Sequence, residues 1–419
     1  MLYERWREVA QENKNEIALS DFSSGQQWTF FQLAEEAEKL SWPDEEIIFP
    51  QGSSAEFVVA VLRGWKFRRI VCPLEAGQTP LSFFALPKNY VHFKMTSATT
   101  GRPRVVAFTA EQLAADAENI VATMGLRMDC PNLGVISLAH SYGFSNLILP
   151  LLLQGIPLIL LEAPFPQTVL SAAEKFPAIT LAAVPALWRA WHEAKAISKN
   201  IRLAISAGAP LHLDLEKDIF EKSNLKIHNF YGATECGGIA FDRTQKPRTD
   251  ADYVGAPMRN VQLTKGENDC LEVRGRNVGE TYWPEADENL ANGCYRSSDL
   301  VEIKNDQVFL KGRVSDQINL AGRKVSPETI ERILLTHPEV RECLVFGIPN
   351  AERTETMVGC VAGKSPIKPE QLKQFLLSKI PAWQVPREWW FVESLQANSR
   401  GKISRADWRK KYLEARKTA

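Results

Sequence analysis

From the N-terminus to about residue 310, short apolar or β-branched runs alternate with stretches whose apolar positions recur every three or four residues. The short runs predict strands at 46–50, 69–75, 92–97, 104–109, 133–138, 157–162, 179–185, 202–206 and 226–231. The longer period predicts helices at 110–124, 171–176 and 212–223. Such alternation implies βαβ units and parallel sheet. From about 254 to 310 the runs shorten and are punctuated by Gly and Asn, the pattern of an antiparallel sheet or small barrel. After 312–316 the alternation restarts in miniature as an α+β segment. Ser326 is its N-cap candidate with Pro327 at the first helical position, followed by strands 342–349 and 357–363 and a helix at 368–380.

The most apolar stretch, 133–165, is broken by Asn146, Gln154, Gly155 and prolines, so it predicts a helix followed by a buried strand instead of a membrane span. At 419 residues the chain exceeds what one core comfortably serves, which implies two or three domains. Fifty basic residues balance fifty acidic ones, so no global field draws the chain to nucleic acid or an anionic membrane. The last twenty residues are the exception, with eight basic residues against two acidic ones; they read as a solvated amphipathic helix or an anion-binding tail. Cys72, Cys130, Cys236, Cys270, Cys294, Cys343 and Cys360 are odd in number, scattered, and form no C-x-x-C. That pattern argues against a disulfide framework or zinc ribbon and points to a reducing cytoplasm, as does an N-terminus without the apolar core of a signal peptide.

The segment T-S-A-T-T-G-R-P-R-V-V, Thr96 to Val106, places hydroxyls and a glycine between two predicted strands. Such a loop wraps a triphosphate with backbone N–H groups and the hydroxyls of Thr96, Ser97, Thr99 and Thr100, while Arg104 adds charge. The Walker A spacing is absent. A Ser/Thr-rich turn by itself is more often an ordinary loop.

Its company changes that reading. The loop, including Gly101, resembles the phosphate loop of the adenylate-forming superfamily of acyl-CoA synthetases, peptide-synthetase adenylation domains and firefly-type luciferases. Further segments resemble that family in order along nearly the whole chain. A-H-S-Y-G-F (139–144) is similar to the segment lining the acyl pocket, and S-A-G-A-P-L (206–211), with Gly208, Ala209 and Pro210, to the turn on which adenine rests. Y-G-A-T-E (231–235) resembles the segment whose aromatic ring stacks on adenine and whose Glu helps to hold magnesium, with Gly232 and Thr234 beside the nucleotide. Y-R-S-S-D (295–299) resembles the ribose-gripping motif, 312–331 the interdomain hinge, and N-S-R-G-K-I-S-R (398–405) the loop of the catalytic lysine. The resemblance implies an α/β fold: a large N-terminal domain, 1–313, of parallel-rich sheets flanked by helices with a small antiparallel barrel-like part, and a small mobile α+β C-terminal domain, 314–419.

Each residue type suits the role so implied. A carboxylate attacking the α-phosphate of ATP needs charge compensation, which the ammonium of Lys402 supplies from a mobile loop. Asp299 accepts two ribose hydroxyls, with Arg313 as a second grip. Glu235 is a hard oxygen donor for Mg²⁺, and Tyr231 offers adenine a flat face. Outside the motifs these residues would read as surface ion pairs, a helix-start acid and a core ring. His140 borders the implied acyl pocket, with Phe144, Ala207, Gly237, Gly238 and Ile239 as further lining. His92, His192, His212, His228 and His337 carry no such assignment; 192–196 lacks a second zinc-spaced histidine, and no G-x-S-x-G elbow occurs.

Four positions depart from the family pattern: Ala98 for Gly, Arg104 for Lys, Ser298 for Gly and Asn319 for Lys. The hinge position is Ser315, a small polar pivot in place of the usual Asp or Lys. Only nineteen residues separate 72–75 from 95–101, where relatives place an additional βα stretch; the exposed sheet edge this implies suggests a homodimer. The implied activity joins a small carboxylic acid to a thiol through an acyl-adenylate, with ATP and Mg²⁺. Because 322–327 resembles the loop that approaches the CoA nucleotide, CoA is the first acceptor and the phosphopantetheine of an acyl carrier protein the second. A degenerate binding module remains the alternative of another class.

Overall fold

The computed structural model describes residues 1–80, 86, 89–96, 104–350, 354–396 and 403–418. By contacts the chain divides into two compact units: Met1–Thr264 with Glu272–Ser297 and Ile303–Val308, and Lys265–Leu271 with Ser298–Glu302 and Phe309–Ala419. The fold is mixed α/β.

In the first unit the larger sheet holds, in neighbour order, Tyr253–Pro257, Gly237–Phe241, Ile227–Ala233, Ile201–Ser206, Ile179–Ala183, Asn132–Gly134, Leu158–Leu160, Ile17–Asp21 and Gln27–Thr29. Pairings from Ile227–Ala233 through Ile17–Asp21 are parallel, and those beyond both ends are antiparallel. Parallel strands are covered on both faces, which is why Ile179–Ala183 is buried at every position and reads as a continuous apolar run. Its core includes Trp188 and Trp191, each with its indole N–H satisfied, by the carbonyls of Ile205 and Pro164.

A smaller sheet runs Thr281–Trp283, Val105–Phe108, His92–Met95, Ile70–Val71 and Ile47–Ile48. Helix Ala110–Met124 follows Val105–Phe108 at the expected place because Thr109 and Gln112 form a reciprocal capping box. Gly125, at φ +67°, ends it in the left-handed conformation that glycine adopts without penalty. The apolar stretch 133–165 contains the short helix Ser141–Gly143, a wide π turn at Phe144–Ile148, helix Leu149–Gln154 and strand Leu158–Leu160. Among the described residues no helix is long and apolar enough to cross a membrane.

In the second unit, Arg323–Val325, Ile318–Leu320, Thr354–Gly363 and Val340–Asn350 form a sheet joined in parallel by Glu388–Phe391. Helices Pro327–Leu335 and Pro369–Leu377 pack their apolar stripes on it. Ser326 occupies the N-cap position of the first, but its hydroxyl bonds the Lys311 carbonyl and Glu328 instead of the helix amides. The basic C-terminal segment is a helix, Arg405–Thr418, seated through Trp408, Tyr412 and Leu413.

Candidate active site

The site in the first unit grows from one hairpin. Ala233 lies opposite Gly237 and Gly232 opposite Gly238, which leaves Thr234, Glu235 and Cys236 as the turn. Gly237 has φ +64°, and a Cβ on it would fall 2.0 Å from Asp116 Oδ1, so only glycine fits. The same Oδ1 accepts from the Gly238 amide at 3.2 Å, while Oδ2 accepts from Ser145 Oγ at 2.6 Å and faces Lys94 Nζ at 3.4 Å. All three side chains are buried, so the carboxylate holding the turn end of the hairpin has its charge matched and its oxygens bonded. The far end of the hairpin is pinned by a second buried ionic group: Glu216 and Asp242 share Lys226, and Arg248 binds Glu216 and donates to the carbonyls of Leu211 and Tyr253. Leu211 closes the 206–211 turn, in which Ala207 is buried, Gly208 has φ +84°, and Ala209 and Pro210 lead toward helix Leu213–Ser223.

Glu235 is held by an unforeseen partner. Tyr282 Oη donates to Glu235 Oε1 at 3.0 Å from strand Thr281–Trp283, whose Tyr282 pairs with Val106. Arg104 places its guanidinium 4.2 Å from the Tyr282 ring centroid and donates through Nη1 to Asp287 Oδ2 at 3.0 Å. Thr96 donates to the Arg104 carbonyl through both its amide, at 2.9 Å, and its hydroxyl, at 3.0 Å. Thr96, Arg104 and Glu235 thus meet in one line through Tyr282. Burial, reinforced by the Glu235 charge, holds the Tyr282 phenol well above its ordinary value, so it remains a donor. Asp287 lies below the usual carboxylate range, chiefly through the Asn289 amide and then through Arg104. A phenol bonded to a carboxylate contributes about 1.5–3 kcal/mol and an exposed ion pair such as Arg104–Asp287 about 0.2–1, so the Tyr282–Glu235 bond dominates the line.

The remaining sequence-predicted residues of this unit fall around the hairpin. Tyr231 is half-buried opposite Ala240, and Gly238 and Ile239 are buried. Phe144 is fully buried, its ring 4.3 Å from His92. His140 stands at the N-cap of Ser141–Gly143 with Nε2 3.6 Å from Glu75 Oε1, which also accepts from Ser137 Oγ at 2.8 Å. Ser97, Thr99, Thr100, Gly101 and Lys402, and the substituted Ala98, lie outside the described residues.

In the second unit Arg313 Nε donates to Asp299 Oδ1 at 2.7 Å. Ser315 sits in the short turn Val314–Asp316 with its hydroxyl on Asp316. Asn319 acts locally, where the family pattern has lysine: its Oδ1 accepts from the Gly322 amide at 2.8 Å and closes the turn between two strands. Arg405, three residues beyond Lys402, binds Glu328 at 2.9 Å and Glu331 at 3.1 Å. Burial pushes Glu331 up to about 7 against the pull of Arg405.

Among the described residues no group of three or more His, Cys, Asp or Glu forms a metal cage. One anchored carboxylate suits Mg²⁺, which keeps waters and shares phosphate oxygens, better than a structural zinc. Sequence reading missed Tyr282, Asp287, Asp116, Lys94 and Arg405; of these only Arg405, by its closeness to the lysine motif, carried a local signal.

Two family models match the chain: "AMP-binding enzyme" over residues 87–283 and "AMP-binding enzyme C-terminal domain" over 329–402. A feruloyl-CoA synthase of an Amycolatopsis species is 28% identical over 340 residues, covering 76% of this chain and 69% of the relative. A long-chain fatty acid–CoA ligase of Mycobacterium tuberculosis is 25% identical over 336 residues, covering 76% and 66%. ATP-bound MatB from Rhodopseudomonas palustris superposes with a TM-score of 0.86 at 19% identity over 99% of each chain. The o-succinylbenzoate CoA synthetase of Bacillus subtilis, in complex with its acyl-adenylate, gives 0.81 at 18% identity over 97% of each. At those identities the two structures establish the fold.

Proposed function

The chain belongs to the AMP-binding enzyme family, the AMP-forming acid–thiol ligases of acyl-CoA synthetase type, and from that premise we propose that it joins a carboxylic acid to CoA in two half-reactions. In the first, the carboxylate attacks the α-phosphorus of ATP, giving acyl-adenylate and pyrophosphate. In the second, a thiolate attacks the acyl carbon and AMP leaves. The observation that carries this reading is the line Thr96–Arg104–Tyr282–Glu235, which puts hydroxyl, guanidinium and a hard oxygen donor in one row, as charge compensation of a polyphosphate requires.

Tyr231 stacks on adenine above the 207–210 turn, with Gly232 and Thr234 alongside. Asp299 grips the ribose with Arg313. Ser97, Thr99, Thr100 and Gly101 enclose the phosphates, and Lys402 stabilises charge at the α-phosphate. Glu235 would hold Mg²⁺, which would supply charge neutralisation of the phosphates. Domain 314–419 turns against 1–313 about Ser315, withdrawing Lys402 once adenylation is complete so that the thiol can enter.

The acid is aryl or of medium chain length. Its pocket draws on His140, Phe144, Ala207, Gly237, Gly238 and Ile239, and the nearby Asp116 is already neutralised by Lys94, so it offers no spare charge to a substrate ammonium. Names of relatives such as feruloyl-CoA synthase and fatty acid–CoA ligase support CoA as acceptor. All seven cysteines are unpaired, which supports a reducing cytoplasm as the place of work.

The test is ATP–pyrophosphate exchange over a panel of aryl, short, medium and long acids, followed by acyl transfer titrated with CoA and with holo acyl carrier protein. Exchange with a subset of acids and saturable CoA turnover at micromolar concentration support the reading. Transfer to carrier protein alone would move the acceptor to phosphopantetheine, where the basic helix Arg405–Thr418 would face an acidic partner. ATP binding without exchange would leave a binding module. Light scattering tests the proposed homodimer; a monomer at every concentration would exclude it.

A further inference from the structure

We propose that Tyr282 is the positioning residue for Glu235, held in place by Arg104, and that Arg104 therefore serves the metal carboxylate before it serves the phosphates. The inference rests on the nucleotide-ligase reading above and deepens it. Glu235 projects from a three-residue turn, where a side chain on three rotatable bonds would sample many orientations. Tyr282 takes Oε1 at 3.0 Å and fixes the plane of the carboxylate, as outer partners do for metal-binding acids elsewhere. The phenol itself is fixed from two sides. Its strand is in register with Val105–Phe108, and the Arg104 guanidinium lies over its ring at 4.2 Å, tied at the other end to Asp287 at 3.0 Å.

This arrangement explains why arginine stands where the family pattern has lysine. A planar guanidinium stacks on an aromatic face and hydrogen-bonds a carboxylate in the same pose, whereas an ammonium serves as a compact charge. Residue 104 is also the backbone partner of Thr96, so the base of the phosphate loop and the metal carboxylate share one support.

Tyr282→Phe keeps the ring, the strand and the Arg104 stack, and removes only the hydrogen bond. Losing an outer partner of this kind weakens metal binding 10–100-fold elsewhere, so Mn²⁺ affinity in the presence of ATP, read from the electron paramagnetic signal of free Mn²⁺, is expected to fall about 10-fold. The metal concentration for half-maximal pyrophosphate exchange should rise in parallel, with lost rate recovered at high metal and KM for the acid unmoved. Arg104→Lys should give a smaller shift in the same direction, and its effect should vanish in the Tyr282→Phe background. Unchanged Mn²⁺ affinity in an exchanging Tyr282→Phe enzyme overturns the inference, as does a rate loss that metal does not recover. A wild type that binds Mn²⁺·ATP but exchanges with no acid overturns the ligase reading instead.

Discussion

Arg313 Nε and Asp299 Oδ1 stand 2.7 Å apart, so the aspartate proposed to grip ribose is oriented by the residue directly before the Val314–Asp316 turn. A charge-assisted bond of this length orders the acceptor before any ligand arrives, and ties Asp299 to the segment that carries Ser315.

Asp299→Asn keeps the shape but removes the charge that Arg313 uses and that the proposed ribose grip requires. Hydrogen bonds to charged groups contribute about 1.5–3 kcal/mol, so kcat/KM for ATP should fall about 10- to 150-fold in pyrophosphate exchange. KM for the acid should stay within about twofold; an equal rise in both would place the aspartate elsewhere than at the ribose.

Lys402→Ala should separate the half-reactions. Adenylation is expected to drop by about 10²–10³, the loss typical of one electrostatic donor at a transition state. Thioester formation from chemically supplied acyl-adenylate should be nearly untouched, and equal losses in both steps would contradict the departure of this lysine before thiol attack.

His92 is fully buried between Phe144 and Phe108, and neither ring nitrogen has a hydrogen-bond partner. Burial, aided by the charge of Lys94, lowers it well below its ordinary 6.5. The unfolded chain therefore takes up the proton first: the stability contribution is complete above 6.5 and drains away as pH falls, by at most about 1.4 kcal/mol per unit for one proton. Urea unfolding of wild type and His92→Phe from pH 5 to 8 should give curves that diverge below 6.5, with the variant the more stable. Glu331, raised to about 7, acts in the opposite sense between 4.5 and 7, and the difference between the two proteins cancels it. Parallel curves would show that His92 already titrates normally.

Gly237→Ala combines a positive φ with a methyl 2.0 Å from Asp116 Oδ1. Backbone strain of about 1–3 kcal/mol adds to the displacement of a buried ion from Lys94, so unfolding free energy should fall by about 3 kcal/mol or more. Thermal denaturation reads this directly; a shift of less than about 1 °C would mean that the turn end of the hairpin yields freely.

Much of the architecture was legible from periodicity, because nine apolar runs were long enough to stand out and each became a strand. Gln27–Thr29 escaped because no position of this edge strand is buried, and Ile17–Asp21 because Ser20 and Asp21 cut its apolar run to three residues. The helix placed at 171–176 begins at Pro166, a first-turn proline that periodicity alone passes over. Among the candidate site residues, Glu235, Thr96 and Asp299 could be proposed from sequence because each lies within a contiguous motif. Tyr282 and Asp116 were not, since Tyr282 meets its partner through sheet register and Asp116 through the packing of its helix on the hairpin, both far apart in sequence, which no local pattern records.

The four-charge group of Glu216, Lys226, Asp242 and Arg248 gives the hairpin an unusual kinetic character. Withdrawing any one member strands a buried ion, at a cost of several kcal/mol, so partial fraying at that end is no easier than losing the element whole. Amide protons of Phe230 and Phe241, paired beside it, should exchange with solvent only when the first unit unfolds outright. With the Asp116–Lys94 pair holding its turn end as well, the strand pair that presents Tyr231 and Glu235 is clamped at both ends and moves as one piece with its sheet.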